Sequence, residues 1–375
     1  MKIAPFGVEQ WMNEYETRCD YNLAETCCDS ITIQQLLDLA GTTPEALQAE
    51  LLPMRLTYGA IEGTDRLREA VAALYERQGR HNVTITHGAI GANHLVHLAL
   101  VEPGDRVVSV LPTYQQHYSI PESIGADVRI LRLHEEQGWL PDLDELADHV
   151  RGGAKLVVIN NPNNPTGSLM DRDCLEQIVA ICDQAGAWLL CDEVYRGIDG
   201  EDPGTTASVA DLYDRGISTG STSKAFSLAG LRLGWAVGPT SLTEDLLIHR
   251  DYNTISVGMV DDLLATIALE NADAILQRNR DLTRTNREIL AAWIESEPRI
   301  TWVGPKGGTT ALLKYDVPMT SREFCVRLVE ETGVMLTPGS ALGVEGYLRI
   351  GYANNSQVLV DGLPRLSEFL GSISH

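Results

Sequence analysis

Nearly continuous apolar runs recur along the first half of the chain, and each ends in a cluster of polar residues. The runs are VTITH at 83–87, DRVVSVLPTY at 105–114, AKLVVINNPNNPTG at 154–167 and AWLLCDEVYRG at 187–197. Residues 67–78 (LREAVAALYERQ) carry apolar positions at helical spacing. Apolar strands separated by helices are typical of a parallel sheet covered on both faces, which is an α/β class of fold. Because such sheets bind ligands beyond the carboxyl ends of their strands, we expect the polar clusters to meet at one edge.

The pattern changes near residue 260. Residues 260–296 form one long stretch with helical periodicity, followed by a mixed region with strands near TALLKYDV and YLRIGY. We therefore predict a large domain over 30–260. A smaller α+β domain is expected from 1–29 and 261–375, with the long helix near 260–296 connecting the two.

Composition and net charge limit the kinds of molecule that the protein is expected to bind. The chain has 375 residues, 44% of them hydrophobic and 22% charged, as in an ordinary globular protein of about two domains. Its 29 basic and 52 acidic residues give a formal net charge of -23, which repels nucleic acid and anionic membranes. We expect neither as a partner, so any anion that the protein binds must be held by local groups.

The seven cysteines include no CxxC pair, which indicates neither a disulfide framework nor a zinc site. Free thiols and no bound metal are expected. The first residues, MKIAPFGVEQWMNEYE, lack the apolar core of a signal peptide, and no stretch approaches the ~20 apolar residues of a membrane span. A cytoplasmic location is the simplest expectation.

Four polar clusters stand where chemistry is expected. They are Gly88-Ala89-Ile90, NPNNPTG at 161–167, DEVY at 192–195, and STSK at 221–224 followed eight residues later by Arg232. In this order they resemble the class I and II aminotransferases, which are fold-type I enzymes dependent on pyridoxal phosphate (PLP). Each motif is weak alone, whereas NPNNPTG and SxSK with its arginine are together specific. The resemblance runs from YGAIEGTDRLREA at Tyr58 to YLRIGYANN at Arg349 and implies a large PLP-binding domain with a mostly parallel sheet, plus a smaller α+β domain.

The resemblance assigns the reacting end of PLP to four residues. Lys224 is the expected Schiff-base partner and later the general base, while Asp192 would keep the pyridine nitrogen protonated. Tyr195 and Asn164 would hydrogen-bond the phenolic oxygen. Three structural alternatives stay open. Lys224 could be a solvated surface lysine, Asp192 could cap the N-terminus of a helix, and Asn164 could only stabilise a turn.

The phosphate of PLP would bind at the start of a helix. The backbone N–H groups there and the helix dipole suit a dianion, and a guanidinium can bind the phosphate through two parallel hydrogen bonds. The residues implied are Gly88, Ala89, Ile90, Ser221, Ser223 and Arg232. The alternative for Arg232 is a surface salt bridge, and a strand-glycine-helix turn such as that at Gly88 is common in unrelated proteins.

Three further residues match family positions. Tyr114 matches the aromatic residue that stacks on the pyridine ring, with an ordinary half-buried tyrosine as the alternative. Tyr58 matches the tyrosine that reaches the phosphate of the neighbouring subunit, which implies a homodimer with shared sites. Arg349 matches the arginine that clamps the α-carboxylate of an amino-acid substrate, with a structural salt bridge as the alternative.

The N-terminal segment departs from many relatives. They carry an Asn-Leu-Gly-x-Gly-type segment, whereas this chain has Asn22-Leu-Ala-Glu-Thr26. Glu25 could recognise an amino, guanidino or other cationic group of the substrate. It could equally be a capping or solvated carboxylate.

The resemblance implies an enzyme that acts at the α-carbon of an amino acid through an external aldimine, most simply an aminotransferase. The alternative is β- or γ-elimination, replacement or cyclisation in specialised (natural product) biosynthesis. The N-terminal segment and the stretches TYQQHYSIPESIGA and HRDYNTISVG are similar to capreomycidine-synthase-like and carbon-sulfur-lyase-like enzymes of that branch. A third reading is a PLP-binding module without catalysis.

Overall fold

The computed structural model describes residues 2–200 and 204–373. The helices of these residues are α1 Gly7–Tyr15, α2 Ile33–Leu39, α3 Pro44–Leu51, α4 Asp65–Ala72, α5 Gly88–Leu100, α6 Gln116–Ile124, α7 Leu143–Val150, α8 Arg172–Ala185, α9 Val209–Leu212, α10 Thr240–Asp251, α11 Met259–Glu270, α12 Ala272–Ser296, α13 Ser321–Thr332 and α14 Ser356–Ser372. The strands are β1 Tyr21–Asn22, β2 Val83–Thr86, β3 Arg106–Leu111, β4 Asp127–Arg132, β5 Leu156–Asn160, β6 Trp188–Asp192, β7 Gly216–Ser221, β8 Gly234–Val237, β9 Ile300–Trp302, β10 Thr310–Tyr315, β11 Val334–Met335, β12 Thr337–Pro338 and β13 Tyr347–Gly351.

A seven-stranded sheet in the order β2-β8-β7-β6-β5-β3-β4 forms the centre of the fold. Strands β4, β3, β5, β6 and β7 run parallel, and β8 is antiparallel to both of its neighbours. The carboxyl ends of the parallel strands therefore share one edge. The α/β fold class expected from the apolar runs is confirmed.

The apolar runs have their composition because both faces of the sheet are covered. Along β5, Leu156 and Val158 pack with residues of α5 and α10, whereas Val157 and Ile159 pack with residues of α7 and α8. Alternate side chains of a strand point to opposite faces, so a strand that is buried on both sides has no polar positions.

The C-terminal part of the chain builds a second layer. Strands β12, β13, β10 and β9 form an antiparallel sheet, whose core includes Phe324 of α13 and Phe369 of α14. Strand β1 pairs in parallel with β11, so the N-terminal segment joins this layer. The boundaries 30–260 and 261–375 stay a prediction.

Two predicted helices are shorter than their patterns. The stretch 67–78 is helical only to Ala72. The backbone N–H groups of Glu76 and Arg77 donate to the Asp211 carboxylate instead of to the carbonyl groups four residues earlier, so the helix does not continue. The stretch 260–296 is two helices, α11 and α12, which meet at Asn271. The Asn271 side chain donates to the Ile267 carbonyl, so it competes with the helical hydrogen bonds at the junction.

Over 2–200 and 204–373 the structure contains no helix that is both long and apolar enough to span a membrane. All seven cysteines are free thiols. Within the same described ranges, no group of three or more His, Cys, Asp or Glu side chains is arranged to hold a metal ion.

Candidate active site

One cavity of about 470 Å³ lies at the carboxyl edge of the large sheet. Every residue predicted for the site except Tyr58 lines it. They converge because β5, β6 and β7 end side by side at Asn160, Asp192 and Ser221, with α5 beginning next to them. Residues as distant in sequence as Glu25 and Arg349 thereby line the same cavity.

The N-terminus of α5 forms one end of the cavity together with Arg232. Gly88 has a φ of +68°, which is favourable only for glycine, and a β-carbon there would lie 3.3 Å from Nη2 of Arg232. The Arg232 guanidinium lies 3.5 Å from Ser223 Oγ, and Arg232 itself has a left-handed φ of +49°. Strained backbone of this kind concentrates at functional sites. A helix N-terminus, two serine hydroxyls and a guanidinium thus line the same cavity, a set of groups that suits an anion.

Lys224 follows β7 and extends its amine into the middle of the cavity. Its Nζ donates to Thr26 Oγ1 at 2.6 Å and lies 3.5 Å from Cys27 Sγ. Burial alone would lower the pKa of Lys224, but Cys27, Tyr195 and Glu25 outweigh burial and raise it. The amine is therefore held in place, and these neighbours favour its protonated form.

Asp192 ends β6 with its carboxylate buried beneath the cavity. Oδ2 accepts a hydrogen bond from Asn93 Nδ2 at 2.9 Å and lies 3.3 Å from His117 Nε2, while Oδ1 accepts from the Val194 N–H at 3.2 Å. These contacts fix both oxygens. Asp192 begins no helix that the structure describes, so the N-cap alternative has no counterpart here.

Two tyrosines and an asparagine line the walls. Tyr114 donates to Glu9 Oε1 at 2.9 Å, and its ring packs against Phe6 at a centroid distance of 4.7 Å. Burial raises the pKa of Tyr195, although nearby Lys224 and Arg349 oppose this effect. Asn164 is placed by its own N–H, which donates to Asn160 Oδ1 at 2.6 Å.

Arg349 comes from β13 and reaches the cavity from the smaller sheet. It is 3% exposed, and its Nη2 donates to the Ala24 carbonyl at 3.1 Å and to Thr337 Oγ1 at 3.0 Å. Nη1 has only a long contact of 3.4 Å to Asn164 Oδ1, and Nε has no partner within the described part of the chain. No carboxylate pairs with Arg349 there, so the structural salt-bridge alternative has no partner. A buried guanidinium with spare N–H groups suits a carboxylate ligand.

Glu25 lies in the same cavity, but its carboxylate is engaged locally. Oε1 accepts hydrogen bonds from the backbone N–H groups of Thr26 and Cys27, at 2.7 and 2.8 Å. Burial would raise the pKa of Glu25, but the charge of Lys224 and these N–H groups together lower it. The geometry matches the capping alternative, and recognition of a cationic substrate group stays a prediction.

Tyr58 does not reach the cavity of its own chain. It is 68% exposed and lies beside α11, on a surface that also includes Met54, Val257 and Met259. An exposed position is what a residue directed at a neighbouring subunit needs, and that role stays a prediction.

Several residues that line or support the cavity were not predicted from the sequence. Val8, Glu9, Met12 and Glu16 of the N-terminal segment line it, as do Thr26, Cys27 and Asn93. The helical spacing of Val8, Trp11, Met12 and Tyr15 could have indicated α1. His117 of α6 lies 3.3 Å from Asp192 Oδ2, a contact across the fold that no local pattern indicates.

Comparison with known proteins identifies the family. A model of the family described as aminotransferase class I and II matches residues 32–363. The chain belongs to this family.

Three relatives match almost the whole chain. A solved structure of a PLP-dependent aminotransferase from Streptococcus suis 89-1591 covers 100% of both chains with 42% identity and a TM-score of 0.97. Capreomycidine synthase of Streptomyces vinaceus is 33% identical over 97% of this chain and 93% of its own length. The PLP-dependent cyclase OrfR has a TM-score of 0.91 with 27% identity, over 99% of this chain and 98% of its own.

These relatives confirm the predicted family and fold type, and the protein is a PLP-dependent aminotransferase or aminotransferase-like cyclase. The residues present fit the cofactor. An exposed guanidinium and a helix start suit its phosphate, a buried carboxylate suits its ring nitrogen, and the Lys224 amine lies between the two.

Proposed function

We propose that this enzyme catalyses transamination of an amino acid at its α-carbon. The observation that carries the proposal is the shared cavity in which the Lys224 amine, the Asp192 carboxylate and the Arg349 guanidinium converge. The 42% identity to the Streptococcus suis PLP-dependent aminotransferase over the whole chain supports the same reaction class.

When bound, PLP supplies a carbon that captures the amino group and a ring that withdraws electrons from the α-carbon. The residues of this chain do the rest. Asp192, fixed by Asn93 and Val194, holds a proton on the ring nitrogen. Lys224, whose amine is held in a fixed position by Thr26, removes the α-proton as the free amine and returns it to a neighbouring carbon.

Arg349 orients the substrate in this proposal. Its free N–H groups bind the α-carboxylate, and its anchors to Ala24 and Thr337 keep the guanidinium from following the ligand. A carboxylate fixed at one point and an amino group fixed at another leave the α-carbon little rotational freedom. The α-proton can then face Lys224.

For Glu25 we retain the predicted role in recognising a cationic side chain. In support, Glu9, Glu16 and Asp192 line the cavity with Glu25, so its four carboxylates outnumber its three cationic side chains, which are those of Lys224, Arg232 and Arg349. Replacing Glu25 with Gln should reduce the preference for arginine or lysine over leucine. An unchanged preference would remove Glu25 from substrate recognition.

A second candidate is elimination or cyclisation at the same site. It is favoured by the similarity to capreomycidine synthase across 97% of the chain and by the likeness to the cyclase OrfR. Both reactions begin with loss of the α-proton to Lys224. They differ in whether a substituent then leaves the β- or γ-carbon.

The two candidates can be separated by adding single amino acids to the purified protein loaded with PLP, with arginine and β-hydroxylated amino acids in the panel. The visible absorbance of the cofactor reports reaction, and mass spectrometry identifies the product. A keto acid with the aminated cofactor supports transamination. Ammonia, water loss or a cyclised product supports the second candidate, and no response from any amino acid contradicts both. Lys224→Ala should abolish every response.

We also propose a homodimer in which Tyr58 reaches the partner's cofactor. In support, Leu52 and Leu56, which precede Tyr58 in the chain, are 80% and 82% exposed, and large exposed apolar side chains in one segment are typical of a surface that a partner covers. Sedimentation should give the mass of two chains. Tyr58→Phe should weaken PLP binding without changing that mass, and a monomer at micromolar concentration would contradict the proposal.

A further inference from the structure

The segment 23–28 passes over the cavity and is tied to both sides of it. On the side of the smaller sheet, Gly351 N donates to the Leu23 carbonyl at 2.7 Å and Thr309 Oγ1 donates to the Thr26 carbonyl at 2.7 Å. On the other side, Cys28 N donates to the Lys224 carbonyl at 3.3 Å. The fit is close, because a β-carbon at Gly351 would lie 1.6 Å from the Glu25 carbonyl oxygen. The segment is therefore held in one position.

Glu25 fixes the turn at the centre of this segment. Its carboxylate accepts the N–H groups of both Thr26 and Cys27, so these residues present their side chains to the cavity in a defined direction. The low pKa of Glu25 keeps the carboxylate charged through neutral pH. An ionised acceptor makes stronger hydrogen bonds than a neutral one.

The Thr26 hydroxyl is the closest polar contact of the Lys224 amine. It accepts a hydrogen bond from Nζ at 2.6 Å. The contact from Nζ to Cys27 Sγ is longer, 3.5 Å, and sulfur is a weak acceptor. Since an amine that donates to a fixed oxygen has its remaining positions fixed as well, the hydroxyl sets where Nζ points.

We infer that Thr26 is a positioning residue, which orients the Lys224 amine for removal and return of the α-proton, and that Glu25 holds Thr26 in place for this task. The inference rests on the proposed role of Lys224. It gives a function to the segment in which this chain departs from the Asn-Leu-Gly-x-Gly pattern. Thr26 stands at the position of the second glycine of that pattern, and a glycine has no hydroxyl to offer the amine. Thr26 contacts the base and is not itself a proton carrier in this scheme.

The titratable groups that face the amine are Glu25, Cys27 and Tyr195, and Glu16, which follows α1, lies near Glu25. All of them remain in a Thr26→Val protein, which has the same shape without the hydroxyl. Loss of an acceptor disfavours the ammonium form of Lys224, so its pKa should fall. The free amine should then become more abundant, although it is less well oriented towards the α-proton of the substrate.

The test compares Thr26→Val and Thr26→Ser with the wild type. Thr243→Val is the matched control, because Thr243 is 7% exposed against 9% for Thr26 and does not line the cavity. In full-length protein freed of PLP, reductive methylation of Lys224 at pH 8 is followed by mass spectrometry. In the loaded enzyme, kcat, KM and exchange of the substrate α-proton with D₂O are measured.

For Thr26→Val we expect Lys224 to be methylated about tenfold faster, and kcat and α-proton exchange to fall about tenfold to a hundredfold with KM nearly unchanged. A hydrogen bond to a charged group has that size. Thr26→Ser should restore both readouts to within about threefold. Val behaving like the Thr243→Val control, or losing kcat with unchanged methylation, would overturn the inference.

If Thr26→Val fails to fold, Thr26→Ala against Thr26→Ser makes the same comparison. Lys224→Ala separates this inference from the proposed function. Turnover by Lys224→Ala overturns the function itself, whereas an inactive Lys224→Ala beside a normal Thr26→Val overturns only the role of Thr26.

Discussion

Replacing Arg349 with Lys tests how the substrate is oriented, because the change keeps the positive charge and removes the planar fork. In the wild type, Nη2 is occupied by Ala24 and Thr337, while Nε and most of Nη1 are free for a ligand. A lysine ammonium at this position cannot hold both anchors and also make two contacts to a carboxylate.

The magnitude follows from the contacts that are lost. One charge-assisted hydrogen bond contributes about 1.5–3 kcal/mol, so kcat/KM for the amino acid should fall about tenfold to 150-fold. For the amine that lacks the α-carboxylate, kcat/KM should fall far less, because this compound makes no contact with the Arg349 guanidinium through a carboxylate. The matched control is Arg322→Lys, since Arg322 pairs at the surface with Glu14 at 3.3 Å and lies outside the cavity.

The assay measures kcat/KM for the amino acid and for its decarboxylated amine in wild type, Arg349→Lys and Arg322→Lys, with thermal unfolding as a check on the fold. The predicted loss is specific to the carboxylate and absent in the control. Equal losses on both compounds would refute the reasoning, because Arg349 would then act only on the packing of the segment 23–28.

Two further predictions follow from buried ionisable groups. Burial raises the pKa of Cys27 to about 11, so the rate of its alkylation by iodoacetamide should rise about tenfold per unit between pH 7 and 9.5; a plateau near pH 8 would contradict this. Burial likewise raises the pKa of Asp199 to about 6, so the folded state binds a proton more tightly than the unfolded state does. This stability is present below about pH 4 and is lost as the pH rises through 6, up to about 3 kcal/mol in urea unfolding. Asp199→Asn should flatten that pH dependence, and parallel profiles for the two proteins would count against it.

Much of the large sheet was predictable from the sequence, and the reason is physical. Strands β3, β5 and β6 are buried on both faces, so their apolar runs stand out. Strand β7 has the residues GISTGS, which are all buried but mostly small or polar, and only the STSK cluster marks its end. Strand β4 lies at the sheet edge with alternating exposure, so it has no continuous apolar run by which it could be predicted.

The site was predictable where residue types are tied to cofactor chemistry. Asp192 was predictable as an acid at the end of an apolar strand, whereas Lys224 and Arg349 were implied by the resemblance of their motifs to the family. Thr26 and Asn93 were not found, since their importance comes from contacts across the fold with Lys224 and Asp192. Neither contact leaves any local pattern in the sequence.

The central claim is that Lys224 carries the cofactor, and direct mapping tests it. The protein loaded with PLP is reduced with borohydride, digested and sequenced by mass spectrometry. With only five lysines in the chain, the modified residue can be located without ambiguity. We predict the reduced phosphopyridoxyl group on Lys224 alone. Its presence on Lys2, Lys155, Lys306 or Lys314 instead, or on no lysine, would contradict the account.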